Sequence, residues 1–454
     1  MTCQCTLSIC QVILWSTVLL APQVLAQVDE THLGAAGIRK LESKHLTLYT
    51  DLPIDAEVDQ LPAIFDQAVP QWADALGVDQ SRISNWRIQA CLIQDRSKFD
   101  AVGLMPPGND SFRHGFSLGH KLWLYEQPTP YYRRHLLLHE GTHNFMATQL
   151  GRCGPGWFME GMAELLATHQ WDQVSGQLVL RYLPASASEV PMLGRIKLVQ
   201  EAFRDRQALS LPAVLAIDNR QFLANKDYAW CWAVARLLDD HPRYRERFRS
   251  LLAHVQDPGF NARFRHLFAD DWEELSVEWQ NFVATLDYRH DIQRTAIDFQ
   301  PGKPIAGDET VDLRVDQGWQ SSQLMLKAGE TYRIVATGRY QISEDETGPW
   351  WCEPGGISLK YHRGNRLGVL LGAIDPGDGK PSRAAHFLEP WVLGLDQTVQ
   401  AEHDGTLYLC VNDSPGRLGD NDGTLRVTIQ HDRRPRLRSS TPIDTSRFQF
   451  DNER

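Results

Sequence analysis

The chain has 454 residues, enough for two or three domains, and its 42% hydrophobic and 23% charged residues are those of a globular protein. The net charge of −11 is spread along the sequence with no basic stripe, which excludes a nucleic-acid-binding surface. The first 26 residues contain no Asp, Glu, Lys or Arg. An apolar run over 9–20, then Pro22 and Val24-Leu25-Ala26, predicts a signal peptide cleaved after Ala26, although its start lacks the usual Lys or Arg. The run is short and Pro22 interrupts it, so no stable membrane span is expected and the mature chain is expected to be secreted or periplasmic. Five of the eight cysteines follow that segment: Cys91, Cys153, Cys231, Cys352 and Cys410. So low and odd a count is no disulfide framework, although a Cys352–Cys410 bridge stays open.

Residues 45–50 alternate like a strand, 58–76 carry a helical period, and 86–93 and 119–125 read as two further strands. The strand over 119–125 leads directly into the next helix and is expected to form the upper edge of a cleft, as an unpaired edge strand, with Trp123 or Tyr125 flanking a subsite. A helix is predicted over 131–150, ended by Gly151, and a second from Trp157 to about His169 after the Gly154-Pro155-Gly156 turn. A hairpin follows over 173–183. From 194 to 288 apolar residues recur every three or four positions, so this stretch is helical. Beyond about residue 295 the helical period vanishes, and short alternating runs separated by Gly, Asp and Asn predict a β-sandwich of about 130 residues. Residues 435–454 are polar and read as a flexible tail.

Helix geometry gives one pattern a chemical meaning. His139-Glu140-Gly141-Thr142-His143 is an HExxH sequence inside the helix over 131–150. Histidines four apart share a helix face, so both imidazoles can reach one ion, and the intervening glutamate stands close enough to act as a base. A catalytic zinc takes three protein ligands and leaves one position open. The extended HExxHxxGxxH pattern fails here, because Met146 and Gln149 occupy its later positions. Glu160, in Trp157-Phe158-Met159-Glu160-Gly161-Met162-Ala163-Glu164, fits as the third ligand if the Gly-Pro-Gly turn folds its helix back. Glu164, one turn on, is placed to accept a hydrogen bond from the outer nitrogen of a zinc histidine. His135 could share the same face in a supporting role. HEGTH with WFMEGMAE resembles the gluzincin side of the peptidase MA clan, in particular bacterial peptidase-MA-like proteins, over residues 40–290. That resemblance implies a small mixed sheet, an active-site helix and a helical lower half, with Glu140 as catalytic base. It also implies an oxyanion-stabilising residue downstream, for which Tyr228 is the candidate.

Between two late strands, Asn412-Asp413 and Asp420-Asn421-Asp422-Gly423 put hard oxygen ligands on one loop, which is calcium chemistry. Together with Gly318-Trp319-Gln320, the turn at Ala328-Gly329-Glu330 and the run at 334–338, this segment resembles the calcium-dependent galactose-binding bacterial lectins of the LecA (PA-I) type. The resemblance implies calcium held by the side chains of Asp413, Asp420 and Asn421, with carbonyls from Arg417 and from near Ile342. Ile342 stands where the lectin has a tyrosine. The expected fold is therefore multidomain: an α+β zincin-like metallopeptidase domain over 27–297, then an all-β lectin-like sandwich over 298–434. The expected activity is zinc-dependent hydrolysis of peptides or proteins, with glycans or glycoproteins as further partners. The alternative is a glycan-binding or adhesion protein on a silent zincin scaffold.

Overall fold

Period-two alternation explains the first layer. In the computed structural model, which describes residues 30–106, 112–218, 223–377, 379 and 383–431, five short strands form one mixed sheet. They are β1 (Arg39–Glu42), β2 (Leu46–Thr50), β3 (Ile88–Ile93), β4 (Gly115–Leu118) and β5 (Lys121–Tyr125). Their order is β1-β2-β3-β5-β4. β2, β3 and β5 run parallel, and β1 and β4 flank them antiparallel. Leu46, Leu48, Ile88, Ala90, Leu92, Leu122 and Leu124 join the main core, whereas Tyr49, Cys91, Ile93 and Trp123 join a second cluster with Phe99 and Phe112. Strands covered on both faces read as near-continuous apolar runs. The expected signal peptide over 1–26 and the expected tail over 435–454 lie outside the described residues.

Two expectations about this sheet need correction. The strand expected at the cleft edge is β5, and it is interior; the edge is β4, a four-residue strand too short to show a period. Trp123 is 3% exposed, donates from Nε1 to the Leu104 carbonyl at 2.6 Å and stacks on Phe116 at 5.8 Å, so its ring fills the core and flanks no subsite. The helix expected over 58–76 is also broken, into Ala56–Asp59 and α1 (Leu61–Ala75). Pro62 sits in the first turn of α1, where a missing N–H costs least.

α2 (Pro130–Gln149) crosses the main-core face of the sheet, and α3 (Gly156–Ala167) folds back along it. The hairpin β6 (His169–Asp172) and β7 (Gln177–Leu180) follows. Helices α4 (Arg195–Arg204), α5 (Asn225–Asp240) and α6 (Trp272–Thr285) then dominate the helical part, with shorter helices between them and Ala229 to Leu238 of α5 wholly buried. Its core contains Trp157, Trp232 and Trp279, each essentially inaccessible to solvent.

A separate core organises the rest of the chain. One sheet pairs β8 (Lys303–Pro304), β10 (Gln320–Leu326), β18 (Gly405–Val411), β15 (Asn365–Asp375) and β14 (Gly355–His362), with β16 (Trp391–Val392) on β15. The other runs β17 (Asp396–Gln400), β11 (Thr331–Thr337), β19 (Thr424–His431), β9 (Glu309–Arg314). Their inner residues, among them Leu326, Leu370 and Leu407 from one sheet and Ile334, Leu425 and Val427 from the other, form one cluster, as in a two-sheet sandwich. β12 (Tyr340–Asp345) and β13 (Gly348–Cys352) form a hairpin beside them. The six-residue helix α7 (Arg383–Leu388) interrupts this all-β stretch; six residues are too few for a periodicity to be read. All five described cysteines are free, so the Cys352–Cys410 bridge is not formed. No helix among the described residues is long and apolar enough to cross a membrane.

Candidate metal centre

Two close approaches place the HExxH helix. A Cβ on Gly141 would lie 2.6 Å from the Trp72 ring and 2.8 Å from Phe65, so only glycine lets α2 press onto α1. A Cβ on Gly161 would meet the Cys231 carbonyl at 2.7 Å, so α3 lies equally tight on α5. Thr129 caps α2, accepting from the Tyr132 N–H at 3.2 Å, and Asn144 ties the helix to the β4–β5 turn through the Gly119 carbonyl at 2.7 Å.

This packing brings three ligand atoms to one point. His139 Nε2 and His143 Nε2 are 3.1 Å apart, and Glu160 Oε2 lies 3.3 and 3.2 Å from them. Donors held at ~2.0–2.1 Å around a tetrahedral zinc stand roughly 3.3 Å from each other, so the residues fit the ion. Glu160 Oε2 is buried and makes no hydrogen bond, which a cation would remedy. Burial opposes ionisation of Glu160, but the charges of the adjacent His143 and His139 prevail and hold it at about 2.

A second set of groups, His135, His139 and Glu164, is also close enough to hold an ion. Arg195, the first residue of α4, argues against it. The guanidinium donates to both oxygens of Glu164 at 2.8 and 2.7 Å, so that carboxylate is already neutralised. Glu164 instead faces His139 Nδ1 and His135 Nε2, each at 3.3 Å, and thereby orients the ring of His139. Burial resists its charge, yet Arg195 and His135 keep its carboxyl well below the usual range.

Glu140 points the other way. A Cβ on Gly115 would lie 2.4 Å from Glu140 Oε1, so the carboxylate sits directly against the edge strand β4. Burial raises its pKa, which suits a proton carrier. Tyr228, in the first turn of α5, places its ring 6.0 Å from that of His139, with the Arg195 guanidinium 5.4 Å from its centroid. Burial and the three nearby glutamates push its phenol up, so it stays a donor. The sequence singled out neither Arg195 nor Gly115. Arg195 lies 31 positions from Glu164 in a stretch that shows only helical period, and no local spacing could have found it.

The loop between β18 and β19 holds a second group of oxygens. Asp413 Oδ2, Asp420 Oδ1 and Asn421 Oδ1 are all buried without a hydrogen-bond partner. Burial, with the Asp420 charge nearby, pushes Asp413 up to about 6. The Arg417 carbonyl accepts from the Asp420 N–H at 3.2 Å, and Ile342 lies where the β12–β13 register shifts, beside the bridge between Gln341 and Asp422. Three orphaned hard oxygens are a fitting donor set for calcium.

No family model matches the chain, and no curated protein matches it. Among solved structures it is similar to one described as "EclA N-terminal domain; PllA-like lectin", at 18% identity and a TM-score of 0.21, over 27% of this chain and 95% of that one. At that score the likeness is too slight to assign a fold.

Proposed function

We propose that the protein is an exported zinc-dependent peptide hydrolase of the gluzincin type. The observation that carries this reading is the convergence of His139, His143 and Glu160, with Glu140 alongside and Glu164 behind. Zinc, which His139, His143 and Glu160 would hold, would supply a Lewis acid for the scissile carbonyl and the attacking water. Glu140 removes the proton from the attacking water and delivers it to the leaving amine nitrogen. β4 offers its free edge to an extended peptide, which would pair along it by backbone hydrogen bonds beside Glu140. Tyr228, beside His139, supplies a neutral hydroxyl to the developing oxyanion. Glu164 fixes the ring of His139, and Arg195 holds Glu164 in place.

The test is a cleavage profile of a zinc-loaded preparation on a proteome-derived peptide library, with Glu140→Gln as control. The expected result is cleavage by the parent and a loss of roughly 100-fold or more in the variant, at unchanged zinc content. Equal cleavage by the variant would remove Glu140 from the mechanism.

A second reading rests on the orphaned oxygens of Asp413, Asp420 and Asn421. These fit calcium, with the Arg417 carbonyl and one near Ile342 completing the shell, and a calcium-bearing sandwich could take glycans or glycoproteins. In the limiting form of this reading the zinc domain is a silent scaffold of an adhesion protein. Glycan-array binding that follows calcium, in a protein that cleaves no peptide when loaded with zinc, would favour that form.

A further inference from the structure

The calcium reading leaves open what the ion does, and the surroundings of its loop bear on that. The loop does not stand free at the tip of the sandwich. The Pro415 carbonyl accepts from the Asp291 N–H at 3.0 Å, across the boundary between the two cores. Gly416 is pressed so closely on the helical part that a Cβ there would lie 2.5 Å from the Tyr288 carbonyl and 3.0 Å from Arg289 Cβ. Asp413 lines a cavity of about 150 Å³ at the junction, whose wall also includes Glu278, Phe282, His290, Trp319 and Phe387. One of the loop's ligands, Asp413, therefore lies at the seam between the two parts of the chain.

The segment 288–291 on the other side is held in an unusual conformation. Arg289 has φ 61°, in the left-handed region that disfavours side chains, and its N–H donates to the Pro184 carbonyl at 3.0 Å. Tyr288 packs against both the main core and a cluster of Tyr131, Val190 and Leu193. Tyr131 opens the HExxH helix, and Leu193 stands two residues before Arg195. A strained turn of this kind persists only where its neighbours hold it.

We propose that loop 413–422 is a calcium-dependent latch: ion occupancy by Asp413, Asp420 and Asn421 fixes the backbone on which segment 288–291 is docked, and so fastens the sandwich to the helical part. This rests on the calcium reading above. Asn421 supports a built site, being only 6% exposed with an unpartnered Oδ1. Without a cation, Asp413 and Asp420 repel each other in a half-buried loop, and the docking surface loosens with them.

The full-length protein is compared with and without calcium chloride by hydrogen exchange, with thermal melting and zinc content measured alongside. At a calcium concentration about ten times Kd, linkage predicts roughly tenfold slower exchange in both 413–422 and 288–291, and a higher Tm. Asp413→Asn with Asp420→Asn should abolish both effects at unchanged zinc content. Gly416→Val keeps every calcium ligand but blocks the close approach to Tyr288. It should still bind calcium by calorimetry, with protection confined to 413–422. Calcium that protects only the loop in the parent protein overturns the latch and leaves the calcium site standing. A parent protein indifferent to calcium in exchange, melting and calorimetry overturns both.

Discussion

At the scale of single residues, the buried charges around His139 carry consequences that can be measured separately. Arg195 is the only group among the described residues seen to grip both oxygens of Glu164, which is 1% exposed. Removing one partner of such a pair leaves an uncompensated buried charge, so Arg195→Met should cost about 3–5 kcal/mol in a denaturant melt. It should also weaken zinc by roughly 10–100-fold in a chelator competition, because the Glu164 carboxylate that orients His139 loses its anchor. Arg195→Lys should recover part of the stability and less of the zinc affinity, since an ammonium cannot grip a carboxylate with two parallel bonds. His169 makes a different kind of demand. Its Nε2 accepts from Arg134 Nε at 3.3 Å, its Nδ1 is bonded to the Ala167 carbonyl at 2.8 Å, and its ring stacks on Tyr131 at 4.5 Å. Burial, with the nearby charges of His135 and Arg134, pushes its pKa down to about 3. The folded state then binds fewer protons than the unfolded chain between about pH 3 and 6.5, so stability is full above 6.5 and falls as the pH drops through that window. Between pH 6.5 and 5 its share of the loss should be no more than about 2 kcal/mol, and His169→Gln should flatten the slope of stability against pH by that amount. An unchanged slope in the variant would mean that His169 charges freely in the fold.

At the scale of elements, the site is made by backbones that touch. Gly115 gives the cleanest test, because it stands on the edge strand and the three atoms nearest a Cβ there all belong to the side chain of Glu140. Gly115→Ala should displace that carboxylate, lowering turnover about tenfold or more while zinc content stays unchanged. Gly161→Ala crowds a backbone carbonyl instead, which cannot move without separating α3 from α5. Overpacking of this kind costs about 1–3 kcal/mol, and Glu160 would shift with its helix, so stability and zinc affinity should fall together. The same elements explain what could be read from the chain beforehand. His139, Glu140, His143, Glu160 and Glu164 lie on two adjacent helices, and within a helix spacing reports shared faces. Sandwich strands such as β11 and β19 are legible because their alternation persists over seven and eight residues. β4 and α7 are too short to show a period, and which strand lies at the edge is decided by pairing between segments, not within one. The contact between Arg195 and Glu164 is likewise tertiary, and only the folded chain reveals it.

At the scale of the whole molecule, the two cores are joined by a third, smaller one. Val277 of α6 and Ile297 come from the helical side, while Ala373, Ala384, Phe387 and Tyr408 come from the sandwich, with Phe299 and Trp319 packed against them. The Phe387 ring meets Tyr408 at 5.3 Å and Trp319 at 5.6 Å, edge on in both cases. Beside this cluster, Glu278 accepts from the Ile297 N–H at 2.7 Å and pairs with His241 at 3.1 Å, so the polypeptide linking the two parts is itself anchored in the helical core. A junction with a buried apolar centre transmits unfolding from one side to the other. The full chain is therefore expected to melt in a single transition by calorimetry, although it contains two cores. Phe387→Ala removes the ring at the centre of the junction and should cost about 3–5 kcal/mol. It should do so by splitting the melt into two, the sandwich and the helical part unfolding at different temperatures, because each keeps its own core. A variant that lowers Tm but preserves a single sharp transition would place the coupling elsewhere, in the loop and the 288–291 turn. Two transitions already present in the parent protein would mean that the junction cluster does not couple the cores at all.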